Sequence, residues 1–272
     1  MGLHPRATLI SRPSAWRGRS RLRRAFRALG AVYVAFLLLP LVALFLRAAQ
    51  TDLAAILTQV SAVSALRLSL VTSALSVAGA LVFGTPLAYV LARRRARGTL
   101  GELIDVLVDL PVVMPPAVAG LGLLMAFGRQ GLIGGALGAF GISLPFTTAA
   151  VVMAETFVAA PFYVRAARIA FAESNREFEE LALTEGANEW QVFRFIVVPL
   201  AGRSLLGGIV LCWARALGEF GATIMFAGNL AGRTQTMPLA IYLGLESDLG
   251  TALALSALLI IASLGLLWLL RR

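Results

Sequence analysis

Six long apolar runs constrain this chain more than any other feature. They cover Ala28 to Leu46, Leu66 to Ala92, Ile104 to Phe127, Phe146 to about Tyr163, Ser204 to Ala227 and Leu249 to Leu270. The first holds 19 residues, about 29 Å of helix at about 1.5 Å per residue, which is enough to cross the hydrocarbon of a bilayer. Charged or glycine-rich turn segments separate the runs. The chain is 59% hydrophobic and only 14% charged, whereas a soluble domain carries about 25% charged residues. A soluble core cannot absorb that much apolar surface, but lipid can. The expected fold class is therefore an all-α polytopic membrane protein with six transmembrane helices. Residues 28–272 form one membrane domain, preceded by an arginine-rich tail over 1–27.

The basic excess reads as a topology signal. The formal net charge is +10, and all 24 basic residues are arginines. The tail, the 93–103 loop, the 165–203 segment and the C-terminus hold nineteen of them. Arg47, Arg67, Arg129 and Arg233 fall on the other side, and Arg215 lies inside a run. Arginine accumulates on the cytoplasmic side of membrane proteins, so this asymmetry places both termini in the cytoplasm. Its natural partner is anionic membrane lipid rather than nucleic acid. Arg23–Arg24 precede the first run as in a twin-arginine signal. The run exceeds the 7–15 residues of a typical signal core, which favours an uncleaved first helix.

Other chemistry has little to build on. Cys212 is the one cysteine, inside an apolar run, so no intrachain disulfide framework is expected. The single histidine is His4, which leaves no cluster of the kind that holds a metal. No tandem repeat marks a solenoid.

The most informative segment is 173–203, between the fourth and fifth runs. Ser174 with Glu177 reads as a capping box opening a short amphipathic helix over 177–185, and Gly186 is placed to end it in a left-handed conformation. Asn188 caps a second helix from Glu189 to Val198, and Pro199 opens the approach to the fifth run. The result is a cytoplasmic helical hairpin with an apolar face made of Phe178, Leu181, Ala182, Trp190 and Phe193. Physics alone leaves open whether that face packs on the protein's own helix ends, on the membrane surface or on a partner.

Within this hairpin the order Glu180-Leu181-Ala182, three residues, Gly186, nine residues, Ile196-Val197-Val198-Pro199 resembles the cytoplasmic loop of ABC-importer permeases. That loop reads E-A-A, three residues, G, nine residues, I, one residue, L-P. Leu181 and Val198 depart from the pattern but keep apolar character. The resemblance implies a type I importer permease in the bacterial inner membrane, working as a homodimer with two ABC ATPase subunits and an extracytoplasmic binding protein. It implies that Glu180, Leu181, Ala182, Gly186, Ile196 and Pro199 couple the chain to the ATPase, whose closure switches the permease pair between inward-facing and outward-facing states. The chain has no Gly-x4-Gly-Lys-Ser/Thr phosphate loop, so it is expected to be non-catalytic and to bind no cofactor, with ATP and magnesium held by the partner.

Over about 65–272 the chain is similar to molybdate/tungstate permeases, and to their sulfate relatives. The blocks that carry this are Asp109–Pro116, Leu217–Thr223 and Asn229–Pro238. The implied substrate is a tetrahedral oxyanion, molybdate or tungstate, with sulfate or thiosulfate as the alternative. Docking of the binding protein is expected near 47–65, 128–146 and 228–248.

Several residues invite two readings. Pro111, Pro115 and Pro116 remove backbone donors within a membrane helix, which marks either the translocation pathway or a static kink. Arg215 and Glu219, four apart on one helical face, make either an ion pair or a transient partner for a passing anion. Glu155 reads as a hydrogen-bond partner in packing. An ion-coupled secondary transporter would draw on Asp109, Glu155 and Glu219, but it gives the hairpin nothing to do. A membrane enzyme would need a histidine or paired carboxylates near the membrane, which the runs lack.

Overall fold

The computed structural model describes residues 15–52, 56, 58–94 and 99–271. Every regular element among them is helical. Contacts divide the chain into two compact units, 1–50 and 51–272. The first contains α1, Ala15–Ala48, an apolar helix whose Leu29, Phe36 and Leu39 are all exposed.

The second unit starts with α2, Val60–Arg93, and α3, Thr99–Val113. Next come α4, Pro116–Phe127, the short α5, Gly134–Ala139, and α6, Thr148–Ala172. Helices α7, Arg176–Thr184, and α8, Glu189–Val192, form a hairpin. A π-helical turn, Phe193–Val197, then leads directly into α9, Val198–Leu217. Three more helices complete the unit: α10, Gly221–Ala227, α11, Met237–Ser247, and α12, Leu249–Arg271. Among the described residues four helical segments are long and apolar enough to cross a membrane, and the bent pair α3–α4 would make a fifth. The last apolar run is helical as α12.

Three expected spans differ in outline. The third is not one kinked helix: α3 and α4 meet at 116° across Met114–Pro115. Pro115 and Pro116 each lack the N–H a continuing helix would use, and Pro116 instead occupies the first turn of α4, where no donor is needed. The fourth begins at Thr148 because Phe146 sits at φ +61 and Thr147 caps the helix, its side chain accepting from the Ala150 N–H. The fifth starts far earlier than Ser204, as a continuous helical segment from Glu189, and stops at Leu217. Residues 218–220 break it before α10 resumes. The turn expected over 228–248 also contains a helix, α11. Asp248 then caps α12, accepting from the N–H groups of Gly250 and Thr251 and from the Thr251 hydroxyl, which holds its carboxyl below the usual range.

The core runs along α2, α6 and α9. Its residues are small, with Ala80, Ala88, Ala159, Ala167 and Ala216 all buried, so the helices approach closely. Gly84 faces Val164 and Tyr163, and Gly208 faces Ala166, at distances that leave no room for a side chain.

A polar seam crosses this packing. Ser69, Thr72, Ser73 and Ser76 recur at helical spacing on α2, and all are buried. Thr72 and Ser76 donate to the two carboxyl oxygens of Glu155 on α6, at 2.9 and 3.0 Å. Trp213 on α9 donates its indole N–H to Ser73 at 2.9 Å, and the Met237 N–H of α11 donates to Ser69 at 2.7 Å. One face of α2 thus ties three other helices, and Glu155 takes the packing part expected of it. Replacing Glu155 by Leu strips two buried hydroxyls of an acceptor and should destabilise the chain by about 1–3 kcal/mol. Glu155→Gln should lose less. Thermal unfolding of the purified protein in detergent checks the order.

Candidate functional site

Two constellations stand out, the hairpin and a junction of broken helices. The hairpin is built by its caps. Asn175, not Ser174, is the N-cap of α7, its Oδ1 accepting from the Glu177 N–H at 3.0 Å. The Ser174 hydroxyl instead donates to Glu179 Oε1 at 3.0 Å. At the other end Gly186 adopts φ +93. Its N–H bonds the Leu183 carbonyl and the Ala187 N–H bonds the Ala182 carbonyl, the paired bonds of a Schellman turn. Asn188 and Gln191 then cap α8 reciprocally, side chain to backbone in both directions.

The π-helical turn after α8 has a cause in the sequence. Pro199 has no N–H for the carbonyl four residues back, and its ring presses on that carbonyl. The chain widens instead, so that Val198 N–H reaches the Phe193 carbonyl five residues back. Val192 and Val197, five apart, both reach the core. Pro199 therefore does not separate hairpin from span; it sits in the first turn of a helix continuous with the hairpin.

The hairpin's apolar residues divide into two sets. Phe193 and Ala182 pack on the core that contains Phe171 and Val197. Phe178, Leu181, Leu183 and Trp190 remain exposed. Around them Glu177, Glu180, Glu185 and Glu189 are exposed as well. The segment 173–192 holds six of the chain's 14 acidic residues, an acidic stretch in an otherwise arginine-rich chain. Of the motif positions, Glu180, Leu181, Gly186 and Pro199 are exposed, and Ala182 and Ile196 are half-buried.

The second constellation joins the two breaks. Gly120 on α4 lies so close to α10 that a Cβ there would meet the Ala222 carbonyl oxygen at 2.6 Å. A Cβ on Gly221 would sit 3.0 Å from that of Pro116. The break at Pro115–Pro116 thus faces the break at 218–220. Glu219 is buried and accepts the Ala222 N–H on Oε1 at 2.8 Å, meeting one of the donors left open where α10 starts. Its Oε2 contacts Arg215 Nη1 at 2.5 Å, off the hydrogen-bond direction. Arg215 is not mid-helix but at the end of α9, half-buried, with exposed Pro115, Pro116 and Gly218 at the same junction of breaks. Pro111 is buried inside α3 and stands apart. The ion-pair reading of Arg215 and Glu219 is what the geometry shows, with 27% of the Arg215 side chain exposed.

Sequence reasoning missed the charged links that tie α3 to α6. Arg168 grips Asp105 through two bonds of 2.7 and 3.0 Å, and Arg165 pairs with Asp109 at 2.8 Å. The spacing of Asp105 and Asp109 against Arg165 and Arg168 was visible, but their partnership across the fold was not.

This architecture, long apolar helices with a short helical hairpin between α6 and α9, has counterparts among solved structures. A chain of a bacterial ABC transporter involved in the import of the acidic polysaccharide alginate superposes with a TM-score of 0.74, at 18% identity, over 96% of this chain and 99% of that one. A methionine ABC transporter chain in an inward-facing conformation gives a TM-score of 0.57, at 18% identity, over 78% of this chain and 92% of that one. In sequence, residues 84–270 match the binding-protein-dependent transport system inner membrane component family, and the chain belongs to that family. The molybdenum transport system permease protein ModB of Mycobacterium tuberculosis is 44% identical over 230 residues, 85% of this chain and 86% of that protein. The probable transport system permease protein NifC of Clostridium pasteurianum is 37% identical over 246 residues, 90% and 86% of the two chains. The sulfate transport system permease protein CysT of Escherichia coli is 38% identical over 236 residues, 85% and 84%. The chain is thus a multi-pass inner-membrane permease, non-catalytic, working with a binding protein and with ATPase subunits that are separate polypeptides.

Two substitutions test the two constellations. Gly186→Val forces a β-branched residue into the left-handed region, at a cost of about 1–3 kcal/mol, although the space beside Gly186 is open. It should lower substrate moved per ATP hydrolysed in reconstituted vesicles while the membrane domain stays folded. Gly120→Val should push α4 from α10 and cost about 1–3 kcal/mol in stability, read as a lower Tm in detergent.

Proposed function

We propose that the chain is one half of a homodimeric importer that moves a tetrahedral oxyanion, molybdate or tungstate, into the cytoplasm by alternating access. The observation that carries this reading is the 44% identity to a molybdenum permease across 85% of the chain, against 38% to a sulfate permease over the same share. Sulfate import is the second reading, supported by that same 38% likeness.

In this reading each chain crosses the membrane six times with both termini in the cytoplasm, as the arginine asymmetry requires. Each ATPase subunit receives one hairpin. Glu180, Leu181 and Ala182 belong to the docking helix, Gly186 sets its turn, and Ile196 with Pro199 shapes the π-helical exit. The exposed Phe178, Leu181 and Trp190, ringed by glutamates, fit a partner groove with an apolar floor and basic walls. The binding protein docks on the opposite side, near 47–65, 128–146 and 228–248. The pathway passes the junction of breaks, where Pro115, Pro116, Arg215 and Glu219 lie, and Pro111 lets α3 flex. Arg215, already offset by Glu219, attracts an anion weakly enough to release it, as transit requires.

The test is uptake into proteoliposomes that contain the chain with its ATPase, with binding protein outside and ATP inside. ATP-dependent accumulation of molybdate or tungstate with sulfate excluded is the expected result. Sulfate accumulation would move the chain to the second reading, and uptake driven by an ion gradient without ATP would remove the importer reading.

A further inference from the structure

The hairpin is joined covalently to α6 through 173–175 and to α9 through the π-helical turn. A third connection is not covalent. The last residue of α2, Arg93, donates through Nη2 to Glu179 Oε1 on α7, the same oxygen that accepts from Ser174. Both partners are largely shielded, with 17% and 12% of their side chains exposed. The Arg93 guanidinium also lies over the Tyr89 ring, 5.2 Å from its centre. Tyr89 meets Phe171 of α6 and Phe193 of the exit turn edge-on, at 5.7 and 5.1 Å between centres. Arg93 Nε and Nη1 find no acceptor among the described residues, so Glu179 is the carboxylate that holds this guanidinium.

We infer that Arg93 and Glu179, braced by Tyr89, form a strut that makes α2 move with the docking hairpin. The inference rests on the importer reading above and adds positioning residues to it. The exit into α9 runs through a turn widened by Pro199, whose bond reaches five residues back rather than four. The shielded ion pair, with a second hydrogen bond on the same oxygen, adds a direct tie between the hairpin and α2. The far part of α2 carries the seam that holds Glu155, Trp213 and Met237. Trp213 lies two residues before Arg215, so motion of α2 reaches the junction of breaks.

The test uses the full chain with its ATPase and binding protein in proteoliposomes, with anion uptake and phosphate release measured in the same vesicles, molybdate and sulfate each being offered. Arg93→Gln is expected to lower anions moved per ATP about fivefold, and Arg93→Lys to retain most of the ratio. The double reversal Arg93→Glu with Glu179→Arg should recover at least half of what Arg93→Gln loses. An unchanged ratio in Arg93→Gln, or a double reversal no better than Arg93→Gln, overturns the strut. A second measurement needs no altered strut and no identified anion. Spin labels at Phe83 and Thr184, both exposed, in a background lacking Cys212, should keep their separation between nucleotide-free and ATP-bound states. A change of about a helical turn, ~5 Å, shows that the hairpin moves without α2 and overturns the proposal. Wild-type vesicles that import neither anion would count against the substrate reading alone, leaving the label distances to decide the strut.

Discussion

In lipid, a backbone N–H or carbonyl that leaves a helix has no water to turn to. Much of this protein's form follows from how it meets that constraint at two places where its helices stop. Pro115 and Pro116 end α3 and start α4 with residues that carry no donor. Residues 218–220 end α9, and the Glu219 carboxylate takes the Ala222 N–H of the helix that follows. The two breaks then face each other, and only glycine at 120 and 221 lets the backbones come that close. A buried carboxylate is costly alone, so Arg215 one turn earlier has to be there. Proline, glycine, acid and arginine in this region are parts of one solution.

The same reasoning explains why the polar residues of α2 are not a liability. Serine and threonine hydroxyls can return a bond to their own helix backbone, as Ser73 does with the Leu70 carbonyl. They can also reach out, and on α2 they do so to a carboxylate, an indole and a backbone N–H on three other helices. In a medium without a hydrophobic drive between helices, such bonds and close packing of small residues hold the bundle together.

The hairpin follows a different logic because most of it is exposed. Its α7 buries no residue, so its shape comes from local devices: two asparagine caps, a left-handed glycine and a proline-widened turn. Local devices fix the geometry of a segment without needing a core beneath it. That leaves its apolar side chains free to face outward, where the proposed ATPase would cover them.

The sequence by itself determined what depends on neighbours along the chain. The apolar runs gave the membrane class, and Gly186 and Asn188 the turn and second cap of the hairpin. It misplaced the first cap because Ser174 and Asn175 are both competent, and only the Glu179 carboxylate, five residues on, decides which is drawn away. Only the tertiary structure decided what depends on residues far apart. The bend of α3–α4 to 116°, the break after Leu217, the pairing of Asp105 and Asp109 with Arg168 and Arg165, and the Arg93–Glu179 contact all join segments dozens of residues apart or turn on what lies across the fold. An apolar run shows that a segment prefers lipid. Whether it crosses straight or breaks depends on whether another part of the fold can satisfy the backbone groups that a break exposes, and that information lies in the packing.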